Sequence, residues 1–182
     1  MGAQDRWFDL FEDLEQQAAG LHLAEREAEV GELAAGEYAE VGLAARLHGA
    51  RDRVVRLHLA GGARLQGRLV RAGLDWLQLE DQQSSWLVRT EAITTLRGLG
   101  ARAVSDAALP VTARLSLRSA LRALASRRER CLVQLVDDTR LEGVLGRVGK
   151  DFVEVLAGDA RGVGDDPELV PFRALVAVRE QR

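Results

Sequence analysis

From Val54 to Asp81 apolar and polar residues alternate with a period of two, the signature of half-buried strands. Val55, Leu57 and Leu59 share one face, and Gly61-Gly62 supplies a turn. Leu65, Gly67 and Leu69 share the next face, and Ala72-Gly73-Leu74-Asp75 turns again. Trp76, Gln78 and Glu80 then alternate with Leu77 and Leu79, and Ser85 to Val88 and Glu91 to Leu96 make two more short strands. Five short strands joined by glycine turns predict a small barrel. Upstream the period changes. Trp7, Leu10, Phe11 and Leu14 recur at i, i+3, i+4, i+7 and predict a helix over 5–19, with Asp5 as its N-cap. Gly20, Gly31, Gly36 and Gly42 predict breaks, since each costs about 1 kcal/mol against alanine in a helix. A further helical stretch is expected from Tyr38 to Ala50. Downstream, small residues over 98–112 form a linker ending near Pro110. Residues 115–130 then read as a helix with Leu117, Leu121 and Leu124 on one stripe, and strand texture returns at Cys131.

The two strand-rich segments are copies of one another. At a shift of 76 residues Arg64-Leu65-Gln66-Gly67 falls on Arg140-Leu141-Glu142-Gly143, Leu69 on Leu145, Gly73 on Gly149 and Asp75-Trp76 on Asp151-Phe152. Gly61-Gly62 is replaced by Asp137-Asp138, another turn pair. A six-residue insertion within 158–168 shifts the last strands, so that residues 88–96 (VRTEAITTL) match 170–178 (VPFRALVAV). Gly67 and Gly143 lie mid-strand, where glycine is expected if the strand bends sharply. Gly73 and Gly149 lie in hairpins, where a positive φ is expected. The unit is a helix plus five strands, repeated.

The motifs Leu65-Gln66-Gly67 and Ala92-Ile93-Thr94-Thr95, with Leu141-Glu142-Gly143 and Ala174-Leu175 in the second copy, resemble the Sm-like fold, and within it the bacterial host-factor RNA chaperone family. The resemblance covers residues 54–97 and 131–179. It implies a tandem of Sm-like or SH3-like five-stranded barrels, each preceded by a helix, that pair by their edges within the chain or self-associate. Other small SH3-like barrels share the pattern. The family places a Lys-His pair before the Ala-Ile segment to line its RNA site. Here those positions hold Thr90-Glu91 and Phe172-Arg173, so only Arg173 keeps a positive charge. Arg97-Gly98 matches the Arg-Gly of other Sm proteins in composition, but falls at the end of the fifth strand. The organisation expected is an acidic helical arm over 1–37, a first helix and barrel over 38–100, a linker over 101–113 and a second helix and barrel over 114–182.

Charge sharpens this picture. The chain of 182 residues has a formal net charge of −3. Residues 1–40 carry eleven acidic residues against Arg6 and Arg26 alone, so the remainder is basic. The basic side chains are almost all arginine, Lys150 being the one lysine. Arg114, Arg118 and Arg122 are spaced at i, i+4, i+8, and Arg127 and Arg128 follow. With Arg173, these are the candidate nucleic-acid-binding residues. Trp7, Phe8, Leu10, Phe11 and Leu14 are the candidate partner-binding residues, an amphipathic stripe suited to a groove on another protein.

The chemistry of catalysis is not visible. His22, His48 and His58 stand apart with no second ligand at i+3 or i+4, and His58 is expected to face solvent. Cys131, the single cysteine, reads as a buried small hydrophobe. Asp137-Asp138 and Asp165-Asp166 read as turn formers. No catalytic residue, metal site or cofactor is expected, nor a membrane span or signal peptide, and the expected location is the cytoplasm. The function expected is a non-catalytic RNA-binding or RNA-associated module. The alternative is a protein–protein scaffold that uses barrel edges and the N-terminal aromatic helix.

Overall fold

The structure is a computed structural model, and it describes residue 36 and residues 38–105, 108–157 and 166–180. The chain divides into two units, 1–41 and 42–182, and nearly all of the described residues belong to the second. The helix expected over 5–19, with its aromatic stripe, lies outside the described residues, as does Asp165.

Helix α1 (Leu43–Gly49) begins after an extended Gly42, one of the predicted breaks. Strands β1 (Val54–Leu59), β2 (Arg64–Ala72), β3 (Trp76–Glu80), β4 (Ser85–Arg89) and β5 (Ile93–Arg97) follow. Helix α2 (Leu117–Arg127) comes next. Strands β6 (Arg130–Leu135), β7 (Arg140–Val148), β8 (Phe152–Ala157), β9 (Glu168–Pro171) and β10 (Leu175–Glu180) complete the order. The protein is therefore mainly β, with two helices among the described residues of this unit.

The two expected barrels are not separate closed bodies. All ten strands belong to one antiparallel sheet, in the order β5-β1-β2-β3-β4-β10-β6-β7-β8-β9. Each repeat is a meander whose fifth strand returns beside its first, through β1–β5 and β6–β10. The repeats join because β4 pairs with β10: Val88 faces Ala177, Leu87 faces Val178, Trp86 faces Arg179 and Ser85 faces Glu180. Two edges that would close separate barrels satisfy each other instead. Arg89 clamps the joint, with Nε donating to the Leu175 carbonyl at 2.7 Å and Nη2 to the Arg173 carbonyl at 3.0 Å.

Two hydrophobic clusters fill the unit, and each borrows from the other repeat. The first holds Val55, Leu57, Leu59, Leu69, Leu77, Leu79 and Val88, together with Leu47 of α1, and it takes Val176 and Ala177 from β10. The second holds Leu117 and Leu121 of α2 with Val133, Leu145, Val153 and Val178, and it takes Trp76 and Leu87 from the first repeat. Helix α2 is fixed from the same side. Ser116 is its N-cap, and the Asp75 carboxylate accepts the Leu117 N–H at 2.6 Å, where an anion also suits the helix dipole. Trp76 Nε1 donates to the Leu115 carbonyl at 2.8 Å.

The matched glycines work by close approach. A Cβ at Gly67 would lie 2.8 Å from the Glu80 carbonyl oxygen, and one at Gly143 would lie 2.2 Å from that of Leu156. Gly73 and Gly149 correct the sequence reading, for neither has a left-handed φ. Their missing side chains make room for the ring three residues on: a Cβ would meet Trp76 Nε1 at 2.1 Å and Phe152 Cε1 at 2.3 Å. The turn pair Gly61-Gly62 has φ of 76° and 82°, and the substituting Asp138 has φ of 66°, a region aspartate tolerates better than most residues. Gly143→Ala should therefore lower the unfolding free energy by about 1–3 kcal/mol, the range for forced overpacking. The backbone carbonyl it meets cannot swing away, so the loss should exceed that of Gly67→Ala in urea denaturation. An equal or smaller loss would contradict the close-approach reading.

Candidate nucleic-acid interface

The predicted arginine row does not hold together as one helical face. Arg114 lies in a 3-10 turn, Val111–Arg114, ahead of the Ser116 cap that starts α2, so the helical period does not reach back to it. Arg118 is half-buried on α2, and its Nε is buried without a hydrogen-bond partner. Arg127 is neutralised by Glu180 at 2.5 Å. Arg173 is exposed in the turn Phe172–Ala174 beside the β4–β10 joint, and is not grouped with the others. Arg122 and Arg128 share one site. They line a groove of about 450 Å³ between α2 and the second repeat, with Ser126 and Arg147. Arg128 itself closes α2 in a left-handed conformation (φ 56°), a cap more often made by glycine.

Arg147 has no motif or spacing in the sequence to single it out. It is anchored by Glu154, which is 7% exposed and receives the Arg147 Nη2 at 2.9 Å, the Nε at 3.0 Å and the backbone N–H at 3.2 Å. These bonds hold the Glu154 carboxyl below its ordinary value and raise the guanidinium further. The side chain of Arg147 stays exposed, so the groove keeps an excess of positive charge around one fixed carboxylate.

A second basic surface lies on the outer face of β5, β1 and β2. Along β1, Val55, Leu57 and Leu59 are buried while Val54, Arg56 and His58 are exposed. Register then aligns the exposed residues in rows. Arg97 faces Arg56, which faces Gln66; Thr95 faces His58, which faces Arg64. Arg56 Nε donates to Gln66 Oε1 at 2.8 Å. At the margin Arg68 is paired with Glu80 at 3.0 Å and with Asp52 at 3.5 Å. Arg56, Arg64 and Arg97 have no carboxylate partner among the described residues. Directly opposed like charges destabilise an antiparallel pair. A sheet that sets Arg56 against Arg97 carries a cost that a bound anion relieves. The second repeat lacks this face: the matching positions of Arg56, His58 and Gln66 hold Leu132, Gln134 and Glu142. The alternation alone marks Arg56, His58 and Arg64 as outward-facing, but their opposition is a matter of register.

His58 is exposed, as its strand position predicts. Cys131 is buried, and burial pushes its thiol up to about 11. Asp137 is a turn former: its carboxylate accepts the Thr139 N–H at 3.0 Å, which lowers its pKa. His48 lines a pocket of about 350 Å³ with Arg51, Arg71 and Trp76, and its buried Nε2 has no partner. Burial first, and then Arg51, lower its pKa. Glu91 is taken up by Arg89 at 2.7 Å. Among the described residues no group of three or more His, Cys, Asp or Glu could hold a metal ion, and no helix is long and apolar enough to cross a membrane. No known protein-family model matches the chain, and no curated protein is similar to it in sequence.

The Glu154–Arg147 contact has a pH signature. A depressed carboxylate contributes stability that is present above its unfolded value, near 4.5, and is lost as pH falls through the lower folded value. Stability measured by urea unfolding should thus decline on acidification below the ordinary glutamate range. Glu154→Gln should flatten that part of the decline, and an identical acid profile for the variant would show that other carboxylates govern it.

Proposed function

We propose that the protein is a non-catalytic RNA-binding module of Sm-like architecture, each five-stranded repeat curling about its own cluster as a small barrel. One observation carries the reading: three exposed arginines, Arg56, Arg64 and Arg97, share one sheet face with no carboxylate partner among the described residues. A guanidinium presents a planar fork of donors that suits phosphate oxygens. Neighbouring strands lie about 4.8 Å apart, so the rows offer phosphate contacts at a spacing a flexible single strand can follow. His58, the one ring in these rows, offers a surface on which a base stacks. Phosphate contacts position a chain without reading its bases, so the binding proposed is weakly sequence-selective. The groove in which Arg122 and Arg128 stand beside the Glu154-paired Arg147 is a second, lesser phosphate-binding element.

The test is the salt dependence of binding to a single-stranded RNA oligonucleotide. Each phosphate neutralised contributes about 0.7 to the slope of log affinity against log salt for a single strand. Replacing Arg56, Arg64 and Arg97 together by glutamine should weaken binding and reduce the slope by about 2. Replacing Arg127 and Glu180 together by glutamine should leave both unchanged, because the ion pair carries no net charge. Binding that is absent from the parent protein, or a slope left unchanged by the triple substitution, would overturn the proposal.

A further inference from the structure

The two ends of the ten-stranded sheet are β5 and β9, each paired on one side only among the described residues. By the repeat, β5 corresponds to β10 and β9 to β4, the two strands that meet at the internal joint. The free ends are thus copies of the two halves of an interface the protein already makes.

The ends differ in what they can accept. Hydrogen bonds in an antiparallel ladder alternate from side to side along each strand. Thr90 N donates to the Asp75 carbonyl at 3.0 Å, so the N–H groups of Arg89, Leu87 and Ser85 point the other way, to β10. The corresponding bond in the second repeat runs from Phe172 N to the Asp151 carbonyl at 2.8 Å. The groups of β9 and its approach that point off the free edge are therefore at 171, 169 and 167. Residues 171 and 167 are Pro171 and Pro167, two of the three prolines in the chain. A proline costs nothing at an unpaired edge and removes the donors an added strand would need. Only the Leu169 N–H remains.

No such block protects β5. The matching outward groups are the N–H groups of Thr94, Leu96 and Gly98, and none of these is a proline. Residues 94–96 are exposed or half-buried, whereas their counterparts Val176, Ala177 and Val178 are 0% exposed under β4. The sequence follows the difference, with Thr94-Thr95 standing where the joint has Val176-Ala177.

We propose that β5 is an acceptor edge for an extended segment of another protein, which adds antiparallel to it as β4 adds to β10. The joint fixes the register and the chemistry of that segment. At the joint Arg179 lies opposite Trp86, with its guanidinium 5.6 Å from the ring centre, and Val178 lies opposite Leu87. Arg97 is the counterpart of Arg179, and Leu96 of Val178. The segment accepted thus places an aromatic residue opposite Arg97 and an aliphatic residue opposite Leu96. A second copy of this chain is disfavoured: its β4 is already engaged, its β9 lacks the donors at both ends, and two β5 edges paired about Leu96 would set Thr95 rather than an aromatic residue opposite Arg97.

A fluorescent peptide copying residues 83–91 of this chain tests the proposal against the intact protein, read by anisotropy without RNA. Saturable binding is expected. N-methylation of the peptide at Leu87, whose N–H faces the edge, should abolish it, whereas N-methylation at Val88, whose N–H faces away, should leave it in place. On the protein side Leu96→Pro removes an outward donor without touching the β1 ladder, and should abolish binding with an unchanged circular dichroism spectrum. Binding that survives Leu96→Pro would place the peptide elsewhere, and equal effects of the two methylations would exclude strand addition. Either result overturns the proposal, as does an absence of binding. Self-association of the chain that is abolished by Leu96→Pro would put a second copy on the edge and overturn it equally. None of these outcomes bears on the RNA salt slope, so the two proposals fail independently.

Discussion

The pairing of β4 with β10 is the contact on which the rest of the molecule depends. Without it each repeat would present an unpaired edge at its own last or next-to-last strand, and each cluster would be open on one side. Val176 and Ala177 belong to the first cluster although they come from the second repeat, and Trp76 and Leu87 cross in the opposite direction. Arg89 adds charge-assisted bonds to two carbonyls of the other repeat. The exchange reaches α2 as well. Its N-terminus is held by Asp75, just ahead of β3, and its approach by Trp76, the first residue of β3, while its apolar stripe packs in the second cluster. The orientation of the arginines on α2 is in this sense set by both repeats.

The strands are legible in the sequence because a period of two survives in short windows, and the repeat because its glycines are held in place by backbone contact. Gly143 cannot gain a Cβ without meeting the Leu156 carbonyl, so it recurs where Gly67 stands in the first copy. The role of Gly73 is harder to see, because a hairpin glycine suggests a positive φ, whereas the requirement comes from the ring of Trp76. Arg114 is misplaced by spacing for a related reason: a helical period can be counted through a cap, and Ser116 ends the count.

Edge partners are less legible than faces. Alternation says which side of a strand is buried and nothing about what lies along its edge. One signal is present in Val176-Ala177-Val178, since a run of consecutive apolar residues marks a strand covered on both faces. Its counterpart Thr94-Thr95-Leu96 is mixed, as an uncovered strand should be. The arginine face requires register in the same way. Arg56 and Arg97 are far apart in sequence, and only the β1–β5 pairing sets one against the other.

The exchange of side chains between clusters also bears on how the protein comes into being on the ribosome. Strand β10 follows the other nine described strands in chain order, yet it supplies two fully buried residues to the cluster of the first repeat. During synthesis the first five strands therefore emerge long before their core can be completed, and β4 waits with its edge bare. The first repeat reaches its final packing only when residues 175–180 have left the exit tunnel. The nascent chain is exposed to mispairing over that interval, and the threonines of β5 leave its open edge less apolar than the edge that β4 finally covers.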